Sequence, residues 1–151
     1  MKTAVWVFMA SFGFVACATT ASITPPPAAK VDQPLPPDTY RVEVLCDLPA
    51  AIAAGKFDYV SGEISPANYP EADCKVGPVE VTLVDLGEVS TEQATAELDK
   101  RGFKPATLPV LLALGAAQPE LQRQFYIVAF GSRWGGPGGV VDVPLLDWDG
   151  S

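Results

Sequence analysis

Between residues 79 and 130 the spacing of apolar side chains changes period three times, which restricts the chain to a fold that interleaves strands and helices. Val79-Glu80-Val81-Thr82-Leu83-Val84-Asp85-Leu86 largely alternates apolar and polar residues, as a half-buried strand does. Ser90-Thr91-Glu92-Gln93 then has the spacing of a capping box, in which the Ser90 hydroxyl and the Gln93 amide satisfy each other's free backbone N–H groups. The helix it starts is expected to run over 91–101, to turn Ala94 and Leu98 inward, and to stop at Gly102. A second helix over 108–117 is apolar nearly all round and must be buried. Residues 125–130, a charge-free run of aromatic and β-branched side chains, read as a central strand. Residues 140–146 read as a last strand that returns along it as a hairpin. The expectation is an α+β domain: a small mixed or antiparallel sheet with two main helices on one face.

Upstream, residues 40–46 alternate as a strand does, and Asp47 stands where a helix cap belongs, ahead of a short helix ending at Gly55. Residues 56–76 carry a weaker pattern, expected to form a short strand and then a loop. Cys46 and Cys74 bracket this stretch, and a bridge between them would clip it to the first strand.

The amino terminus is organised differently. One cation, Lys2, precedes an apolar run over residues 4–16 that is shorter than the roughly 20 residues a spanning helix needs, and small residues follow. Residues 1–16 are thus expected to be a signal peptide. Phe14-Val15-Ala16-Cys17 resembles the lipobox of bacterial lipoproteins, which implies a lipid on Cys17 and anchorage to the membrane of the cell envelope. Ala16-Cys17-Ala18 also offers an ordinary small-x-small cleavage site, which would give a soluble periplasmic or secreted protein. Residues 17–38, rich in Thr, Ala and Pro, read as a disordered tether holding the chain extended near polyproline II. Residues 39–151 then form one domain. With Cys17 lipidated or lost, Cys46 and Cys74 are left as a pair in an oxidising compartment, and a disulfide is expected.

The chain has no histidine, which removes the commonest general base, the usual zinc ligand and every Ser-His-Asp or Cys-His arrangement. Eighteen acidic side chains against ten basic ones give a net charge of −8, and loss of Lys2 with the signal makes it −9. Nucleic acid is a poor partner for such a surface, because phosphates are bound by clustered Lys and Arg. No cofactor motif is present: the glycine-rich stretch 131–139 lacks the Lys-Ser or Lys-Thr that closes a phosphate loop.

Gly102-Phe103-Lys104-Pro105-Ala106-Thr107-Leu108 followed by Leu111-Leu112-Ala113-Leu114 resembles the hallmark of bacterial C-type-lectin-like domains, with Pro105-Ala106 where those domains have Leu-Pro. This likeness implies a lectin-like domain in a shortened form. The longer stretch from Leu48 to Val143 resembles a family of uncharacterised bacterial proteins. It does so through Ala53-Ala54-Gly55-Lys56-Phe57-Asp58-Tyr59-Val60 and through the segment from Gln122 to Ser132. That second likeness implies a fold and no activity.

Three groups of residues are candidates for a site. Arg133 beside Trp134, in the glycine-rich loop, suits recognition of a protein or glycan, or else Trp134 folds back onto the sheet. Asp142, Asp147 and Asp149 form an acidic end that lacks the further oxygen ligands of a calcium loop and reads better as a solvated terminus. Asp58, Glu63 and Asp85 could supply the paired carboxylates of a glycosidase, though their spacing neither requires nor forbids it. The function expected is that of an exported binding or structural module, with a carbohydrate-active enzyme as the alternative.

Overall fold

The computed structural model describes residues 3–10, 38–70 and 74–148. Residues 17–37, which include Cys17 and all but the last residue of the tether, and Asp149 lie outside the described residues. The elements in chain order are β1 (Thr3–Ala10), β2 (Thr39–Val44), α1 (Leu48–Gly55), β3 (Gly77–Asp85), α2 (Thr91–Lys100), β4 (Phe103–Pro105), α3 (Leu108–Ala117), α4 (Leu121–Gln124), β5 (Phe125–Val128), β6 (Trp134–Gly135), β7 (Val141–Asp142) and β8 (Leu145–Leu146).

The main sheet has the order β2-β3-β1-β5-β8, with β4 also paired to β1. All its pairings are antiparallel except β1 with β5, so the sheet is mixed and the domain is α+β. Its central strand, β1, comes from within the stretch that the sequence marks as an export signal. Residues 56–70 form turns and no strand: Ile64 N–H donates to Ser61 O, and Tyr69 N–H to Ser65 O.

The two main helices divide between the faces of the sheet, where the sequence pattern placed both on one. Alternation along β3 and β5 shows this directly. Val79, Val81, Leu83 and Ile127 join the cluster built on Val110, Leu111 and Leu114 of α3. Val84 and Val128, one residue out of step, join Ala94 and Leu98 of α2. A central strand has two faces to cover, and α2 packs on the second with Ala94 and Leu98, its two buried side chains.

Local signals act as their chemistry requires. The Ser90 and Gln93 side chains close the capping box on α2, at 3.3 and 3.0 Å, and Asp47 accepts from Ala50 N–H at 2.8 Å to start α1. Cys46 and Cys74 are bonded, with Cα atoms 5.7 Å apart. They flank the Val44↔Gly77 pair that ends the β2–β3 ladder. The final stretch 140–146 does not form one strand. Pro144 has no N–H to donate, so the segment splits into β7, paired with β6, and β8, paired with β5, while Pro144 O accepts from Ala129 N–H.

The start of α3 is capped from a distance. Thr107 makes no side-chain cap; instead Leu108 N–H donates 2.8 Å to the hydroxyl of Ser132, which is only 7% exposed. Beside it Gly131 N–H donates to Ala106 O, and a Cβ on Gly131 would lie 2.6 Å from that oxygen and 2.7 Å from Pro105 O. Both obstacles are backbone and cannot swing away. Ser132→Ala is expected to cost about 1–3 kcal/mol by leaving the Leu108 donor unpaired. Gly131→Ala should cost as much or more, about 3 kcal/mol, through overpacking. Urea unfolding of both variants measures this; two midpoints equal to wild type would show that the contact is not a structural latch.

Candidate functional site

A cleft of about 560 Å³ opens between the loop that follows α1 and the segment carrying β7 and β8. Its floor is Leu108, Leu111 and Leu112 of α3. Phe57 lies at the edge of that floor, and its ring fits because two glycines flank it: a Cβ on Gly55 or Gly115 would meet the ring at 2.1 or 2.7 Å. Tyr59, Tyr69 and Trp148 add aromatic wall, and Asp58, Glu63, Asp142 and Asp147 add four carboxylates. Among the described residues, no Lys or Arg lines it. Arg123 stands behind Trp148, its guanidinium 5.3 Å from the ring centroid, and leans on Glu120 at 3.5 Å.

Tyr69 is the least ordinary of these side chains. It is 4% exposed, packs with Leu48, Ala51, Leu108 and Leu112, and makes no side-chain hydrogen bond among the described residues. Burial first, and then the negative charges of Asp142 and Glu63, push its phenol above the ordinary value of about 10. The folded protein therefore holds this proton more tightly than the unfolded chain does. The corresponding stability is complete below pH ~10 and is lost as pH rises from there through the raised folded value. Tyr69→Phe should unfold with a weaker alkaline dependence than wild type above pH ~10, and thermal melts across that range decide it. Identical pH profiles would show that the phenol titrates as it does in the unfolded chain.

The sequence candidates are distributed by the fold. Asp58 and Glu63 face the cleft with Asp142 and Asp147, whereas Asp85 lies at the end of β3 and accepts from Gly87 N–H at 2.9 Å. Among the described residues no group of three His, Cys, Asp or Glu could hold a metal ion. Arg133 and Trp134 part company. Trp134 is half-buried and packs against the cluster of Leu48, Tyr69, Leu108 and Leu112, on the cleft side of the domain. Arg133 is exposed, donates from Nε to Phe130 O at 3.4 Å, and borders a shallow groove with Thr91, Glu92 and Asp99. Glu92's own backbone N–H, with the Ser90 side chain and Arg133, holds the Glu92 carboxyl below the usual carboxylate range. No family model, curated protein or solved structure matches the chain. The cleft is therefore read from its own chemistry. Neither Tyr69 nor Trp148 belongs to a periodic run, so the sequence pattern does not mark them as lining a site.

Proposed function

We propose that the chain is an exported, lipid-anchored binding module of the cell envelope, and that its cleft takes a cationic side chain of a polypeptide ligand. The observation that carries this reading is the pairing of four carboxylates with aromatic walls in a concave site that no Lys or Arg lines among the described residues. A Lys or Arg side chain matches both parts: its apolar stem lies against Phe57 and Leu112, and its charge meets carboxylates and ring faces. The buried Tyr69 hydroxyl supplies a donor or acceptor to fix the head group. The net negative charge of the domain adds attraction at long range.

Tetralysine, followed by Trp148 fluorescence, is the probe. It should bind saturably and weaken at least tenfold in Asp142→Asn or Glu63→Gln, a loss of about 1.4 kcal/mol. Binding should also fall as salt is raised. Equal binding by wild type and both variants would defeat the assignment. Hydrolysis of a chito-oligosaccharide by wild type, lost in the same variants, would favour a carbohydrate-active enzyme in its place.

A further inference from the structure

We infer that loss of Thr3–Ala10 on export opens a strand-wide slot in the main sheet, and that the slot accepts an extended, uncharged apolar segment of a partner polypeptide. The inference rests on the export reading. The backbone of β1 is held on both sides. Along one edge it pairs with β3 from Val5↔Asp85 to Met9↔Val81. Along the other it pairs with β5 from Thr3↔Phe125 to Trp6↔Val128, and then with β4 from Phe8↔Pro105 to Ala10↔Phe103. Its removal leaves β3 facing β4 and β5 across two strand spacings, roughly 9–10 Å, with unpaired N–H and C=O groups on both sides.

The two halves of the sheet are joined by side-chain packing as well as by β1. Val42, Val44 and Val81 from one half share a single core with Ile127, Ala129 and Leu146 from the other, and α3 spans both. The faces of the slot are closed by α3 on one side and α2 on the other. A strand buried on both faces reads as a continuous apolar run, not as an alternating one, and a strand paired on both edges contains no proline. The present occupant, Thr-Ala-Val-Trp-Val-Phe-Met-Ala, has that character. A partner that adds a strand here would gain affinity from main-chain hydrogen bonds.

The test uses the protein recovered from the cells that export it. Intact mass reports the amino terminus, and a retained Met1 would overturn the export reading and with it the opening of the slot. With the processed protein, the probe is a peptide of the Thr3–Ala10 sequence flanked by lysines, beside the same peptide carrying Val7→Pro. The first peptide should slow amide hydrogen exchange at least tenfold at those N–H groups of residues 81–85 and 125–128 that face the slot, Leu83 N–H being bonded to Asp38 O on the other side, and the proline peptide should not. Unchanged exchange with the first peptide overturns the slot, as does exchange that is already slow in a monomeric processed protein, which would show the sheet closed on itself. Slow exchange in a dimer would identify a second copy as the occupant and overturn the assignment to a separate partner.

Discussion

Replacing both Cys46 and Cys74 by Ser is expected to lower the stability of the domain by about 3.5 kcal/mol, the chain-entropy value for a closed loop spanning 28 positions. For a folded part of this size that corresponds to a fall of roughly 15–25 °C in Tm. The effect should reach function as well as stability. The closed loop holds α1 and the Phe57, Asp58, Glu63 and Tyr69 wall of the cleft, and the described part of the stretch after α1 forms turns without strand pairing of its own. Without the bridge, that wall is tied to the sheet through α1, the packing of Leu48, Ala51 and Tyr69 on α3, and the Phe57 ring on the core. Tetralysine binding should therefore weaken even at temperatures where the variant remains folded. Thermal unfolding of wild type with and without reductant checks the first part. A shift below about 5 °C would mean that the unfolded chain gains little freedom from release of the loop.

Cys17→Ser is expected to release the protein from membranes or to block its maturation, since the proposed anchor is covalent and no other is needed. Burial of lipid contributes about 0.8 kcal/mol per CH₂, so two acyl chains hold a protein stably where one chain holds it only marginally. Among the described residues no helix is long and apolar enough to cross a membrane. The chain's net charge of −8 and its carboxylate-lined cleft disfavour binding to anionic lipid. Fractionation of wild type and variant, with intact mass of the wild type, provides the measurement. A diacylated amino terminus followed by Ala18 supports the anchor. Soluble wild type beginning at Thr19 or Ser22 would point to ordinary secretion, and residues 17–38 would then be only a leader.

Much of the architecture was legible one element at a time. The capping box at Ser90, the cap at Asp47, the buried helix from Leu108 and the Cys46–Cys74 bridge each rest on chemistry carried by a few neighbouring residues or by the count of available thiols. Strand periodicity likewise marked β2 and β3, because side chains one residue apart must point to opposite faces, and a charge-free run of aromatic and β-branched side chains marked β5.

Apart from the disulfide, tertiary structure decided what joins distant residues. Periodicity says that Val84 and Leu83 face opposite ways, and it says nothing of which helix meets which side; that choice came from the whole set of apolar surfaces closing on one sheet. Ser132 is an unremarkable loop residue until folding carries it to the amino end of a helix 24 positions away. Gly131 is needed for close approach to the Ala106 carbonyl and not for an unusual dihedral. The cleft gathers Asp58, Glu63 and Tyr69 from one loop and Asp142, Asp147 and Trp148 from the other end of the domain. Helix caps and strand alternation act across at most four residues and so are written locally, whereas a concave acidic site exists only after the core has fixed the separation of its walls.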